Sequence, residues 1–325
     1  MEGVRIYKKP KLKNPYLIVA WPGMGEVAYK SASYLVEKLK AQEAARIMPE
    51  GFFYLTTSII QNGILGIPEL PYSKFYYWKN PAAKRGASDL LIFISNAQPD
   101  LAKAENYSKM IIQTAQNFQV KKVISFAAMP QPIDHTQQPG VWFTSTSLEL
   151  NNNLKKYNLN LMSEGQISGM NGLFLGIAKK EGMDGFCLLG EIPLYTIQVE
   201  NPKASYAVLG ALSKILDIQI DFTNLMEQIR IMEDEINKLL DYLKLGPQVA
   251  GPIGEEEIEK IKKSLSQLTK LQLSIKEKIE KLFEQAKTDI SQANQLKSEL
   301  DKWNVYKEYE DRFLDLFKKT KDKSN

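Results

Sequence analysis

One histidine and one cysteine bound the chemistry open to this chain of 325 residues. No intrachain disulfide can form, a Cys/His zinc cluster is out of reach, and any Ser-His or Cys-His couple would have to use His135. His135 lies in the loop Pro130–Gly140, which contains three prolines, and a surface role is expected for it. Cys187, between Phe186 and Leu188, reads as an inert strand residue rather than a thiolate. Three segments remain that could line a pocket. The first is Trp21-Pro22-Gly23-Met24-Gly25, a tight loop between an apolar run and a helical pattern. Glycines there permit close backbone approach, and the following helix start offers free N–H groups to an anion. The loop lacks the third glycine of a dinucleotide fingerprint and the Gly-Lys-Ser/Thr of a phosphate loop. It serves either as a structural turn or as a small-ligand or partner site through Gly23, Met24 and Gly25.

The second segment, Glu164-Gly-Gln-Ile-Ser-Gly-Met-Asn-Gly172, sets Glu164, Ser168 and Asn171 between a strand and a helix, where open α/β sheets bind ligands. Its spacing is not that of a nucleophile elbow, which needs one residue on each side of the serine between glycines. The third, Gly190-Glu191-Ile-Pro193, ends a strand, and Glu191 is read as a salt-bridge or loop hydrogen-bond partner or as a buried acid. No catalytic residue, metal ligand set or cofactor is assigned from these patterns.

The elements that must hold these loops alternate in type. Tyr16–Ala20, Leu90–Ile94, Val123–Ala127 and Phe186–Gly190 are short apolar runs suited to strands buried on both faces. Leu159–Met162 is a further short strand, and Glu26–Leu39, Tyr107–Phe118, Leu148–Tyr157, Asn171–Lys179 and Pro202–Leu216 read as helices. Strands alternating with helices imply a mostly parallel sheet covered on both sides, a three-layer α/β/α domain over residues 1–220. The segment Ser58–Trp78 breaks the rhythm. Its glycines and prolines forbid a long helix, and it is expected as a hairpin or a pair of edge strands. Within it Phe75, Tyr76, Tyr77 and Trp78 are read as core packing or as an exposed patch at a subunit interface.

Composition changes near residue 220. Residues 1–220 carry 23 basic and 17 acidic side chains, 16 of the 19 glycines and 13 of the 15 prolines. Residues 221–325 carry 19 basic and 21 acidic side chains and few breakers, so this part is expected to be helical. Asp221 is an N-cap candidate. Phe222, Ile229, Ile236 and Leu243 recur on one heptad position, and Ile261, Leu268, Ile275, Leu282, Leu296 and Trp303 on another. Such a repeat argues for a helical hairpin or coiled coil. An unbroken helix over 255–317 would reach about 95 Å, too long for its shorter neighbour to cover. Leu296, Leu300 and Trp303 therefore need another surface: the helix folds back near Ser291–Gln295, or it pairs with a second copy or another protein. The whole-chain charge of +4 is too weak to imply nucleic-acid or membrane binding. No apolar run is long enough to span a bilayer and the first residues lack a signal-peptide core, so a cytoplasmic protein is expected.

Taken together, Tyr16–Ala20 with Pro22-Gly-Met-Gly25, Glu164–Leu173, Gly185–Pro193, Asn201-Pro-Lys-Ala204, Leu212–Leu216 and Asp221 resemble the proteasome assembly chaperone 2-like family. The resemblance spans about residues 5–245. It implies a phosphorylase/hydrolase-like α/β/α domain, a helical C-terminal portion and self-assembly into a homo-oligomer, a trimer by family analogy. It also implies a non-catalytic assembly-chaperone-like or scaffolding role; the heptad stripe of residues 255–317, which exceeds the usual family core, is where a further protein partner is expected. Proteasome-binding members of the family use a terminal hydrophobic–Tyr–any-residue tripeptide, whereas this sequence ends Lys323-Ser324-Asn325, so docking by that route is not expected. The alternative is a hydrolase or phosphorylase using the loops at 22–26 and 164–172. An ATP-dependent ligase comes last, since neither a phosphate loop nor a metal-carboxylate set is apparent.

Overall fold

A computed structural model describes residues 3–54, 58, 60–61, 63–82, 87–245, 273–288, 292–302 and 306–321. The chain divides into two compact units, Met1–Asn237 and Lys238–Asn325.

The first unit is built on a nine-stranded sheet. Its strands are β1 (Val4–Ile6), β2 (Tyr16–Ala20), β3 (Gln42–Ile47), β6 (Ser73–Trp78), β7 (Leu90–Ser95), β8 (Lys122–Gln131), β9 (Val141–Ser145), β10 (Asn160–Leu161) and β11 (Asp184–Pro193). They lie in the order β1-β3-β6-β7-β2-β8-β11-β9-β10. Five helices cover it: α1 (Val27–Lys38), α2 (Ala104–Asn117), α3 (Leu148–Leu154), α4 (Met170–Lys180) and α5 (Pro202–Leu216). On one face Val27, Ala32 and Leu35 of α1 share a core with Val208, Leu209 and Leu212 of α5 and Ile18 and Ile124 of the sheet. On the other, Tyr107 and Ile111 of α2 and Phe174 of α4 meet Leu17, Phe93 and Val123. The three-layer expectation therefore describes this unit. Strands with apolar residues at every position, such as Leu90–Ile94, follow from having helices on both sides.

The sheet is mixed rather than mostly parallel. The centre β7-β2-β8-β11 is parallel, but β6 runs antiparallel to β7 and to β3, β1 antiparallel to β3, and β9 antiparallel to β11. The cause is local: β3 reaches β6 through a looping segment, and β9 follows β8 through the short Gln131–Val141 turn region. Among the described residues neither connection carries the crossover helix that parallel pairing requires. The segment expected as edge strands splits in two. Ile60–Gln61 and Ile64–Leu65, β4 and β5, form a separate two-stranded hairpin, while β6 lies inside the large sheet.

After α5 the chain enters α6 (Thr223–Leu245). Asp221 stands one residue before the cap position expected of it: the Met226 N–H bonds the Phe222 carbonyl at 2.9 Å, while Asp221 accepts from the Thr223 N–H at 2.9 Å in a local turn just ahead of the helix. Residues 221–237, which the composition break assigns to the extension, belong to the first unit. Leu225 is buried in the α1/α5 core, and the Lys203 ammonium pairs with Glu233. In the second unit the described residues fall in α7 (Leu273–Thr288), α8 (Ala293–Lys302) and α9 (Tyr306–Lys321). Ile279, Phe283, Leu296, Leu300 and Phe313 form their common core, and the Arg312 guanidinium sits 4.3 Å from the Phe283 ring centre. The loop and the start of the second heptad repeat of the expected extension, residues 246–272, lie outside the described residues.

Candidate functional site

The sheet has a topological switch point at its centre. From β2 the chain leaves through α1 towards β3 on one side, and from the adjacent β8 it continues to β9 on the other. At such a point the two connections diverge and leave a crevice beyond the carboxyl ends of the strands. Here the crevice is a cleft of about 100 Å3 lined by Gly23 and Met24 after β2, Ala127–Pro130 on β8, Leu189 on β11, and Met162, Ile167, Ser168 and Asn171 before and at the start of α4.

Two amides build this cleft. Asn171 is buried; its Oδ1 accepts from the Trp21 N–H and its Nδ2 donates to the Trp21 carbonyl, each at 3.0 Å. Gln98, in the loop after β7, donates from Nε2 to the Pro22 carbonyl at 2.7 Å and accepts from the Met170 N–H at 2.9 Å. The two glycine-bearing loops, more than 140 residues apart, are thereby tied together by uncharged groups. Two glycines make the approach possible. Gly25 has φ of 60° with Asn201 and Ile192 packed close against it, and a Cβ at Gly172 would lie 2.2 Å from the Ile167 carbonyl oxygen.

A charged cluster flanks the same loop. Glu26 has φ of 51° at the start of α1, and Lys30 one turn on pairs with Glu200 at 2.6 Å. Burial raises the Glu200 carboxyl above its ordinary range, against the pull of Lys30. Burial likewise raises Glu26, with Lys30 opposing and Glu200 adding to the rise.

The structure gathers some of the sequence candidates and separates others. Gly23, Met24, Ser168 and Asn171 share the cleft, with Met24 and Ser168 exposed at its edge, while Gly25 is buried beside it. Glu164 is exposed in a neighbouring depression with Thr144 and Lys179. Glu191 sits elsewhere and is occupied: its carboxylate accepts from the Gly140 N–H at 2.6 Å and the Trp142 indole N–H at 2.7 Å. His135 is buried, against the surface role expected of it. Its Nδ1 lies 3.0 Å from the Tyr195 hydroxyl and its Nε2 2.9 Å from Asn237 Oδ1, because α6 packs over its loop. Cys187 is buried, which pushes its thiol up to about 12.

The interface candidates change meaning. Phe75 is fully buried against Phe93, so it takes the core-packing alternative and is no part of an exposed patch. Strand alternation puts Tyr77 on the same side of the sheet as Phe75 and turns Tyr76 and Trp78 to the other, each partly buried. Leu296 and Leu300 are fully buried in the core of α7, α8 and α9; Trp303 lies outside the described residues. Gln98, Glu26, Lys30 and Glu200 were not singled out from the sequence. Gln98 had a usable signal, its place just after a buried parallel strand; Glu200, far from Lys30 in sequence, had none.

Fold and site together define a three-layer α/β/α protein with an uncharged cleft at its switch point. Among the described residues no three His, Cys, Asp or Glu side chains converge as a metal site, and no helix is long and apolar enough to cross a membrane. The chain belongs to the PAC2 family, whose model matches residues 17–240. It is 28% identical over 258 residues to the uncharacterized protein MJ1210 of Methanocaldococcus jannaschii, covering 77% of this chain and 93% of that one. Among solved structures it is similar to Pyrococcus furiosus PbaB, an archaeal proteasome activator, at 29% identity and a TM-score of 0.63, over 73% of this chain and 97% of PbaB. Pyrococcus furiosus PbaA, an archaeal homolog of proteasome-assembly chaperone, shares the fold at 23% identity and a TM-score of 0.57, over 75% of this chain and 94% of PbaA.

Proposed function

We propose that this chain is a non-catalytic, assembly-chaperone-like or scaffolding protein that acts through protein–protein contacts, with the proteasome or its subunits as the first partner to test. Membership of the PAC2 family carries the reading, supported by the likeness to PbaB. The state of the site agrees with it: the amides of Asn171 and Gln98 are spent on the main chain, and Glu191 is spent on Gly140 and Trp142. Self-association into a homo-oligomer, a trimer by family analogy, belongs to the same reading. Among the exposed apolar side chains of the first unit, Ile60, Ile64, Leu65 and Ile67 lie together in sequence and are the group offered for that contact. The helical extension beyond residue 240, outside the family match, offers a second surface for a protein partner.

Co-purification from the native lysate tests this directly, with proteasome subunits expected in the bound fraction and light scattering expected to give a mass above that of one chain. Turnover on a panel of nucleosides, esters and ATP, abolished by both Glu164→Gln and Glu191→Gln, would overturn the scaffold in favour of a hydrolase or phosphorylase.

A further inference from the structure

We infer that the switch-point cleft is a binding site for an uncharged, apolar group about the size of one aliphatic side chain. Its position is the first reason. It lies where the chain leaves β2 and β8 in opposite directions, the place at which open α/β sheets leave a crevice for ligands.

Its lining decides the chemistry. Among the described residues no Asp, Glu, Lys, Arg or His contributes to the walls. The amides of Asn171 and Gln98, the polar groups best placed to orient a charged ligand, are each held by two main-chain bonds. A carboxylate, phosphate or ammonium entering here would lose its water and find no opposite charge, which disfavours it strongly. An apolar group loses nothing comparable and covers the partly exposed side chains of Met129, Met162 and Ile167.

Its size narrows the class. About 100 Å3 holds roughly three water-sized groups at ~30 Å3 each, enough for an isobutyl-sized group and too little for a nucleoside. Met24, Met129 and Met162 stand around the space, and unbranched thioether chains adapt to aliphatic groups of slightly different shape. Gln166 and Ser168 are exposed at the edge, which gives the apolar floor a polar rim. The shared chemistry is therefore an aliphatic group on an uncharged carrier, whether a peptide side chain or a free small molecule. Occupancy of the cleft does not depend on the scaffolding role, and co-purification of a partner elsewhere on the surface neither supports nor overturns it, since the probes below read the cleft itself.

The full-length protein labelled with methyl-13C methionine reports on the cleft by NMR through Met24, Met129 and Met162, with the other seven methionines as controls. The probes are the capped pentapeptides Gly-Gly-X-Gly-Gly with X as Leu, Ala, Asp or Lys, and isopentanol as the free aliphatic. The leucine peptide is expected to shift the three methyl signals and to bind at least about tenfold more tightly than the alanine peptide. Tighter binding of the peptide than of isopentanol identifies a polypeptide side chain as the source, and the reverse identifies a free small molecule; both support the site. Ala128→Leu is expected to fill the cleft and abolish the shifts while the control methionines keep their positions. Shifts as large with the Asp or Lys peptide, or none with either aliphatic probe on the unaltered protein, would overturn the inference whatever the variant does.

Discussion

The segment Trp21–Glu26 is held from two sides by different chemistry. On the cleft side, Asn171 and Gln98 bond the main chain of Trp21 and Pro22 with neutral amides. On the α1 side, Glu26, Lys30 and Glu200 form a partly buried group with two carboxylates and one ammonium. The neutral side fixes geometry independently of pH, because an amide has no proton to lose near neutrality. The charged side carries a burial penalty that a single ammonium offsets only in part, which is why both carboxyls titrate above their ordinary range. One loop thus has a rigid wall facing the cleft and a proton-sensitive wall facing the helix.

Removing the neutral wall should have the largest effect. Asn171→Ala would leave the buried N–H and carbonyl of Trp21 without partners, at about 1–3 kcal/mol for each group. A loss of about 2–4 kcal/mol in urea denaturation is expected. Gln98→Ala, at an exposed position with water to replace the amide, should cost below about 1 kcal/mol. Equal losses for the two variants would mean that burial does not separate them, and the rigid-wall account would fail.

The charged wall should appear as a pH dependence. Folding raises the carboxyls of Glu26 and Glu200 above 4.5, so between the unfolded and folded values the native state holds protons that the unfolded chain has released. This part of the stability is fully present below about 4.5 and declines as pH rises through the raised native values. The slope is at most about 1.4 kcal/mol per pH unit for each group. Glu200→Gln should remove its share of that slope. A stability that instead rose across this window in the native protein, with the variant unchanged, would contradict the assignment.

How far these features could be read from the sequence depends on whether the signal was local. The apolar runs of β2, β7, β8 and β11, the Asn201-Pro202 start of α5 and the glycine loops all carry their own pattern, and the structure places elements there. β3 carries none: Gln42-Glu-Ala-Ala-Arg-Ile is polar and alanine-rich, and it becomes a strand through its neighbours β1 and β6. Missing β3 also hid the antiparallel wing, and with it the inner position of β6 that buries Phe75. In the cleft, Gly23, Met24, Ser168 and Asn171 were recognisable from strand–loop–helix placement. The depth of Asn171 and the burial of His135 under α6 depend on tertiary contacts of 150 and 102 residues' separation, which no periodicity encodes.

The smallest effect is expected where charge is exposed, and it tests whether burial is what makes the charged wall matter. On the α2/α4 surface Glu105 pairs with Lys180 at 2.9 Å and with Lys109 at 3.0 Å, and hydrogen bonds from both hold its carboxyl down to about 2. The sign is opposite to that of Glu200: any stabilisation is present above the unfolded value and is lost as pH falls through about 2. Yet this carboxylate stands in water, where solvent and salt screen it and both long lysine chains lose entropy in meeting it. Glu105→Gln should therefore leave the urea midpoint unchanged at physiological ionic strength, despite a larger displacement from the ordinary carboxyl range than most groups show. A clear loss of stability in this variant, persisting in high salt, would mean that exposure does not discount such a pair. The contrast drawn between the two walls of Trp21–Glu26 would then rest on the number of charges rather than on their burial.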